Sequence, residues 1–289
     1  MLQLFTDSDT DVTPQIAEKY GYKMISMPYS IDGETYFPYK ESDSFDFHSF
    51  YESLRAGVLP TTSAISEESY KEYFEPVFAG GDDILYLHFS AAMTATFDGM
   101  KKAVDELLKK YPERKFYEID TKAITTLCLN LAIEVGELYQ SGKSAEEIVE
   151  WAKTEVDHYA MYFFADDLKF FKRSGRVSGL AAMMGTLIGI RPIIFMSEEG
   201  KMVSIGKEKG RIKAMEKLLS YVEELGDDIG DHPLIVGHTD APEFAEEMAE
   251  MIREKCGKDL NVIISPVNPT AGSHCGPNGV GVAFHAIHR

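Results

Sequence analysis

Hydroxyl side chains stand where a predicted strand gives way to a predicted helix. The stretch Asp83–Thr96 (DILYLHFSAAMTAT) contains an apolar run, Ile84–Phe89, that is short enough for a buried parallel strand. Small residues, Thr94 and Thr96 follow, and then an amphipathic segment, Phe97–Tyr111. The first N–H groups of a helix lack backbone partners and the helix dipole favours negative charge, so this junction predicts an anion-binding site.

The donors at this junction are hydroxyl and backbone groups. No Lys or Arg occurs between Asp83 and Met100, so the segment supplies no positive side chain of its own. This favours a carboxylate over a polyphosphate as the ligand. Burial raises the pKa of a bound acid, so the acid could also bind in its neutral form.

Two further predicted strand ends carry similar groups. Thr62 and Ser63 precede a helix that Ser66 opens, and Thr121 follows the strand predicted at Lys115–Ile119. In a mostly parallel sheet, ligands bind at the carboxyl ends of the strands. Hydroxyls in such places also simply cap helices, so both interpretations stay open at this point.

A histidine and a cysteine in a glycine-dense segment, GSHCGPNG, are the candidates for catalysis. His274 and Cys275 lie in a predicted loop whose glycines allow close approach of the backbone to a ligand. Adjacent residues on an extended loop point to opposite sides, which favours an inert thiol over a nucleophile. The chain has no GxSxG motif, no pair at metal-ligand spacing and no GxxxxGK[ST] loop. We therefore predict no catalytic residue, no metal site and no cofactor, with a hydrolase or transferase that uses His274 or Cys275 as the alternative.

Strands and helices alternate through the first half of the chain. Ser144–Glu147 has the pattern of a helix capping box, and Asp32-Gly33 that of a two-residue hairpin turn. The alternation predicts a mostly parallel sheet with helices on both faces. The sequence changes in character near residue 158, so we expect two α/β domains, an N-terminal one over 1–158 and a C-terminal one over 159–289, with the ligand between them.

Composition restricts the class of partner. The chain has 289 residues, a formal net charge of −18, and 44% hydrophobic and 26% charged residues, as in an ordinary globular protein. The negative charge argues against nucleic acid and against anionic membrane surfaces as partners. The three cysteines form no CxxC pair, no apolar run approaches the ~20 residues of a membrane span, and the start MLQLFTDSD lacks the features of a signal peptide. We expect a cytoplasmic protein without stable membrane insertion.

The segment Ser178–Leu187 (SGLAAMMGTL) is small, rich in Met and almost uncharged. Its apolar residues fit an ordinary core at helical spacing, but Met also lines pockets for flexible apolar ligands because it repacks readily. As candidates for an apolar tunnel the sequence offers Met183, Leu187, Ile190 and, in the closing strand, Phe284.

Positive charge is concentrated in one short segment of this acidic chain. Lys172–Arg176 (KRSGR) follows a short predicted helix. Its Arg173 and Arg176 suit either a helix C-terminus with salt bridges or a contact with an anion or a partner. Arg211 is ambiguous in the same way.

Eight motifs occur in the order found in one protein family. They are TDS at 6–8, TTS at 61–63, SAAMTAT at 90–96, DT at 120–121, DDLKFFKRSGRVS at 166–178, IRPI at 190–193, HTDAPE at 238–243 and HCGPNGVG at 274–281. Together they resemble the DegV family, whose members bind fatty acids and include the lipid-carrying subunits of bacterial fatty-acid kinases. The resemblance spans nearly the whole chain.

The resemblance implies that hydroxyls of the N-terminal domain bind the carboxylate of one long-chain fatty acid. Thr62 and Ser63 match the family's Thr-Ser pair, and Thr94 and Thr96 fall in its Ser-Gly-Thr block. His274 matches a position near the mouth of the site. The acyl chain would run into the C-terminal domain.

The same resemblance implies roles for the arginines and a partner. Arg211 matches a second position near the mouth, and Arg173 and Arg176 match a basic turn. The function implied is to present the bound acid to a separate ATP-dependent fatty-acid kinase for acyl-phosphate formation. A sensor that couples lipid occupancy to a protein partner would use the same site and stays open beside it.

This chain departs from the family pattern at several positions, and three of these departures bear on the site. It has Thr94-Ala95 where the family has Ser-Gly, Ala64-Ile65 where it has Gln-Pro, and Asn278 where it has Gly. Two of the three lie next to the hydroxyls that the resemblance assigns to the carboxylate.

Overall fold

The structure, a computed structural model, describes residues 1–40, 42–179 and 189–289. Its strands, numbered in chain order, are β1 (Leu2–Asp7), β2 (Tyr22–Ile25), β3 (Tyr29–Ile31), β4 (Glu34–Tyr36), β5 (Thr61–Thr62), β6 (Asp83–His88), β7 (Phe116–Asp120), β8 (Tyr159–Phe164), β9 (Val177–Ser178), β10 (Ile190–Met196), β11 (Met202–Lys209), β12 (Leu234–His238), β13 (Val262–Pro266) and β14 (Val280–His285). Its helices are α1 (Pro14–Tyr20), α2 (Phe47–Arg55), α3 (Glu67–Ala79), α4 (Thr96–Lys110), α5 (Thr126–Gln140), α6 (Ala145–Glu155), α7 (Leu168–Ser174), α8 (Arg211–Leu225), α9 (Pro242–Cys256) and α10 (Pro269–Cys275). None of the described helices combines the length and the apolar character that crossing a bilayer requires.

Four parallel strands form the first sheet, in the order β2-β1-β6-β7. Its central strand β6 is the apolar run noted in the sequence, and Ile84 to His88 are all buried. Leu4 and Phe5 of β1 point to opposite faces and are both fully buried, so the sheet is covered on both faces. The predicted parallel sheet with helices on both faces is confirmed.

A small antiparallel sheet, β4-β3-β5, lies beside the first one. Its hairpin turns at Asp32-Gly33, as predicted, with φ angles of 51° and 86° that suit a tight two-residue turn. Strand β5 is Thr61–Thr62, so one of the predicted hydroxyl groups stands on the edge of this sheet: Thr62 is paired with Tyr29.

The second sheet has seven strands in the order β13-β12-β14-β8-β10-β11-β9. It is mixed: β12 runs parallel to β13 and β11 parallel to β9, whereas the other neighbours are antiparallel. Helices α8 and α9 pack on it around a separate apolar cluster that includes Met215, Met248 and Phe284. The α/β class expected for the C-terminal part is confirmed.

The two sheets share apolar contacts through α5. Buried Leu127 of α5, Tyr159 of β8 and Ile235 of β12 belong to one continuous cluster. The expected boundary at 158/159 falls at the end of a 3₁₀ turn, Val156–His158, between α6 and β8. The two parts of the chain therefore share one apolar cluster, while the C-terminal part has a second cluster of its own.

Helix α10 replaces the loop expected around His274. Its first residue is Pro269, and the side-chain oxygen of Asn268 accepts the N–H of Ala271 at 2.8 Å as a helix cap. His274 and Cys275 thus lie in the last turn of a helix, and the prediction of an extended loop is wrong at these two residues. Asn-Pro is a helix-start pattern, and a helix forms here although glycines follow it. The hydrogen bonds within α10 pair backbone groups that a buried loop would leave unpaired.

Gly237 of β12 packs closely against Thr126 of α5. A Cβ atom placed on it would lie 2.3 Å from Thr126 Cγ2. We therefore expect Gly237→Ala to lower the free energy of unfolding by about 1–3 kcal/mol, the usual cost of overpacking. Denaturant unfolding measures this. Gly230→Ala is the control, because an added Cβ there meets nothing within 4 Å; an equal, small effect of both substitutions would contradict the close packing.

Candidate functional site

A cavity of about 270 Å³ lies between the first sheet and the second. Its wall is made by residues of both parts of the chain, from the ends of β1, β5 and β6 and from β8, β12, α10 and β14. Thr94 and Arg176 line this cavity and also an adjoining surface depression, which marks their end of the cavity as its mouth. The structure thus brings the carboxyl ends of several strands to one site, as parallel strands require.

Three of the predicted hydroxyl residues line this cavity. Thr62 Oγ1 is 2.9 Å from His274 Nε2, a hydrogen bond that joins β5 to α10. Ser63 is exposed and lines the cavity, and Thr94 Oγ1 accepts the N–H of Thr96 at 3.1 Å at the start of α4. The sequence motifs that predicted these residues lie far apart in the chain, and the fold places them on one cavity wall.

Thr96 also borders the cavity, but its hydroxyl is engaged inside the protein. Its Oγ1 accepts the N–H of Ile65 at 2.9 Å and lies 3.3 Å from the hydroxyl of Tyr70. Thr96 is 2% exposed. Its hydroxyl therefore joins the start of α4 to the segment before α3, which is a structural contact in this conformation.

His274 is a neutral side chain near physiological pH. Burial, with the positive charges of Arg176 and Arg173 as lesser causes, lowers its pKa from 6.5 to about 4. A neutral imidazole offers one donor and one acceptor nitrogen, so with Thr62 it can share a proton with a carboxyl group without adding charge.

Arg176 supplies the positive charge that the sequence around Thr94 lacks. It lies on the cavity wall together with Met93 and Thr94. Arg173 instead donates to the carbonyl oxygen of Pro60. The expectation that only hydroxyl and backbone donors stand near Thr94 is wrong, because the fold brings Arg176 from α7's end to this place.

Arg211 lies away from the cavity wall. Its guanidinium group is 3.5 Å from Asp166 Oδ1, an atom that Arg191 also contacts, and it covers the ring of Phe244 at 3.7 Å from the ring centre. Among the described residues it therefore belongs to a surface ion-pair group on the C-terminal part.

Of the four tunnel candidates, Ile190 and Phe284 are described and neither lies on the cavity wall. Phe284 is fully buried in the other cluster, where it stacks with Tyr162. Successive side chains of β14 point to opposite faces of the sheet, and that of Phe284 points to the face covered by α8 and α9. Met183 and Leu187 lie outside the described residues.

The apolar wall is made instead by residues that sequence reasoning missed. Met161, Phe163 and Ala165 line it from β8 and the residue after it, and Met202 lines it from β11. The alternation of side chains along β8 could have identified these residues. Met161 and Phe163 lie on one face of the strand, whereas Tyr162 lies on the other.

Cys275 is an unreactive thiol. Its Sγ–H donates to the carbonyl of Ala271 at 3.2 Å, and burial raises its pKa to about 12. A nucleophilic cysteine needs a lowered pKa, usually from a neighbouring cation or base. The arrangement therefore speaks against the hydrolase or transferase alternative at this residue.

A buried group of carboxyl side chains lies at the end of β1 and in the turn after it, and sequence reasoning missed Asp9 and Asp11. Asp7, Asp9 and Asp11 are 0%, 3% and 4% exposed. Desolvation raises all three pKa values, that of Asp9 to about 7 and that of Asp11 to about 8. Asp9 is the member that lies on the cavity wall. The motif TDS was noted in the sequence, but nothing in it indicated burial of the later acids.

One exposed group has metal-ligand spacing among the described residues. Ligand atoms of His48, Glu52 and Asp240 lie within 4.8 Å of one another. The group is not on the cavity wall, and Arg55 forms ion pairs with both Glu52 and Asp240. Both of its carboxylates already have a guanidinium partner, so we interpret it as an ion-pair contact between α2 and the loop after β12.

The raised pKa of Asp11 predicts a pH dependence of stability. The folded chain keeps this proton up to pH ~8, whereas the unfolded chain releases it near the ordinary value of 3.8. The contribution of Asp11 to stability is therefore complete below about pH 4 and is lost as pH rises to about 8. We expect the wild type to lose more unfolding free energy between pH 5 and 8 than Asp11→Asn does, by on the order of a few kcal/mol.

Denaturant unfolding of both proteins at a series of pH values checks this. Asn keeps an acceptor for the hydrogen bonds that Asn268 donates to Asp11 at 2.8 and 2.9 Å. Other titrating groups, His274 included, are common to the two proteins and cancel in the difference. Parallel curves for the two proteins would show that Asp11 is ionised in the folded chain.

Known proteins match the chain along its whole length. The sequence profile described as an uncharacterised protein family, DegV, matches residues 1–286. A DegV domain-containing protein of Clostridium perfringens is 32% identical over 285 residues, which are 97% of this chain and 96% of the relative. A fatty-acid-binding DegV family protein from Thermus thermophilus has a TM-score of 0.84 at 21% identity, over 99% of each chain. A DegV family protein from Eubacterium eligens loaded with heptadecanoic acid has a TM-score of 0.84 at 20% identity, over 99% of this chain and 100% of that one. With its motifs, its two sheets and these matches, the chain belongs to the DegV family.

Proposed function

We propose that this chain binds one long-chain fatty acid in the cavity and presents its carboxyl group to a separate ATP-dependent kinase. The observation that carries the proposal is the polarity of one cavity. Thr62, Ser63, Thr94 and His274 give its wall a polar part, and side chains of β8 give it an apolar part. An acid with an apolar tail matches this arrangement end to end.

The solved relatives support the ligand class. The Thermus thermophilus protein is described as binding fatty acid, and the Eubacterium eligens protein as loaded with heptadecanoic acid. These are properties of those proteins, and their likeness to this chain is one of fold. The proposal extends them to this chain because its own cavity joins hydroxyls to an apolar wall.

The two ends of the ligand contribute differently to the free energy of binding. Burial of ~14 methylene groups at ~0.8 kcal/mol each gains at most about 11 kcal/mol. Hydrogen bonds to the carboxylate add about 1.5–3 kcal/mol each, largely offset by its desolvation. The tail therefore supplies the affinity, and the mouth residues orient the head group.

The position of the cavity mouth supports the proposed presentation. Thr94 and Arg176 border both the cavity and the surface depression beside it, so a carboxyl group held there is within reach of a partner. The sequence contains no nucleotide-binding loop that would let the chain phosphorylate the acid itself. The proposal therefore assigns ATP to a second protein, places the chain in the cytoplasm where ATP is available, and needs no cofactor besides the bound acid.

Solvent extraction of the purified protein, followed by mass spectrometry, tests the ligand class. A long-chain acid in stoichiometric amount is the expected result, and blanks in several preparations would overturn the proposal. Incubation of the loaded protein with ATP and a fatty-acid kinase tests presentation: acyl phosphate should form only when both proteins are present.

Thr94→Val should disturb the head group more than the total affinity. The substitution removes one hydroxyl at the mouth and leaves the apolar wall unchanged, so we expect less than a tenfold loss in affinity for palmitate. The carboxyl ¹³C signal of labelled palmitate should broaden or shift, while the signals of the tail stay in place.

Thr35→Val is the matched control, because Thr35 is exposed on β4 and its hydroxyl contacts Ser30. It should change neither affinity nor the carboxyl signal. Loss of lipid binding together with loss of the fold in Thr94→Val would assign Thr94 a packing role instead.

A further inference from the structure

A loop with a strained backbone forms part of the cavity wall. It connects β7 to α5 over residues 121–125, and its Ile124 and Thr125 line the cavity. Lys122 and Thr125 have positive φ angles of 49° and 56°. Residues other than glycine are disfavoured in that region, most of all one with a side chain branched at Cβ, such as Thr125. A strained conformation of this kind persists only where surrounding contacts hold it.

Arg289 holds this loop without bordering the cavity. Its side chain is 5% exposed and is not on the described part of the cavity wall. The guanidinium group donates to the carbonyl oxygens of Thr121 at 3.1 Å, of Val156 at 2.6 Å and of Lys122. Val156 directly follows α6, so one planar group ties the start of the loop to the end of that helix.

Other hydrogen bonds fix the far end of the loop. The N–H of Ser90 donates to the carbonyl of Ala123 at 2.7 Å, and the N–H of Thr125 donates to the carbonyl of Asp9 at 2.9 Å. The first two carbonyls of the loop are held by Arg289 instead. One of these two carbonyls belongs to a residue with a positive φ angle. The strained start of the loop therefore depends on the guanidinium group.

We propose that Arg289 is a positioning residue for lipid binding, which keeps the loop in its strained conformation and thereby Ile124 on the cavity wall. This rests on the proposed function, because the ligand part that an apolar side chain meets is the acyl chain. A loop that relaxes would move Ile124 and change the space open to that chain. Arg289 would act on the ligand in this way without touching it.

The chemistry of the side chain fits this task. A guanidinium group is planar and carries five N–H donors in a rigid fork, so it can bond several carbonyls at once. The ammonium group of a lysine is a compact point charge on a flexible stem. Arg289→Lys should therefore keep the charge and only part of the positioning.

Palmitate binding and isoleucine methyl NMR of delipidated protein test the proposal. Arg289→Ala should weaken palmitate binding by about tenfold, since a loop that is correctly placed for about a tenth of the time lowers the apparent affinity by that fraction. The ¹³C-methyl signal of Ile124, assigned with Ile124→Val, should shift or broaden in the lipid-free variant. Arg289→Lys should fall between Arg289→Ala and the wild type in both measurements.

Arg253→Ala is the matched control. Arg253 also donates to a backbone carbonyl, that of Val262 at 3.3 Å, but it lies on α9 and is not on the described part of the cavity wall. This substitution should change neither the affinity for palmitate nor the signal of Ile124.

A second substitution tests the role of strain. Asn adopts a positive φ angle more readily than Lys does. Lys122→Asn in the Arg289→Ala background should therefore restore part of the affinity and of the Ile124 signal. Lys122→Asn alone should bind palmitate as the wild type does, because the side chain of Lys122 forms only an exposed ion pair, with Asp157.

Wild-type affinity in folded Arg289→Ala protein, or an equal loss in Arg253→Ala, overturns the positioning role. A loss of affinity with an unchanged Ile124 signal also overturns it, and absence of rescue by Lys122→Asn overturns the part assigned to strain. If Arg289→Ala does not fold, Arg289→Lys decides between a partial loss with a shifted signal and no change. Failure of the wild type to bind palmitate overturns the proposed function, whereas the Ile124 signal of lipid-free protein still reports on Arg289.

Discussion

The buried contact between Asp11 and Asn268 joins the two parts of the molecule beside the cavity. Asn268 donates its backbone N–H and its side-chain N–H₂ to Asp11 Oδ1 at 2.9 and 2.8 Å, and its own Oδ1 caps α10. The turn after β1 is thereby tied to the helix that carries His274. Tyr51 of α2 adds a second buried link, because its hydroxyl donates to the carbonyl of Val267 at 2.9 Å. These polar contacts lie beside the cavity. They hold the two sheets in a fixed relative position without side chains filling the space between them.

Desolvation is the largest cause of the pKa shifts of five buried groups in and beside that space. It lowers the pKa of His274, raises that of Cys275 and raises those of the three acids after β1. Neutral forms are favoured throughout, since a buried charge without a partner is costly. Cys275, on the described part of the cavity wall, therefore lacks the lowered pKa of an activated nucleophile.

Positive charge enters the site at one point only among the described residues of its wall. Arg176 lies at the mouth of a chain whose formal net charge is −18. The position favours an ionised head group at the surface over one deeper in the cavity, because a guanidinium group at the entrance stabilises the anion there. The charge of the head group and the length of the apolar wall together define how a ligand would enter and which end it would leave exposed.

The sequence by itself indicated most of the elements and three hydroxyl residues that line the cavity. Apolar runs and caps predicted β6, α4 and the hairpin at Asp32-Gly33, and the ordered motifs predicted Thr62, Ser63 and Thr94 as neighbours. Only the tertiary structure decided which faces border the cavity. Phe284 turned to the opposite face of its sheet, Arg176 came to the mouth from a distant segment, and Asp9 was buried at the wall. The local sequence pattern shows whether a segment has the period of a strand or of a helix. It does not show which face of that segment borders a cavity or how far a side chain is desolvated, because both depend on residues that pack against the segment from elsewhere in the chain.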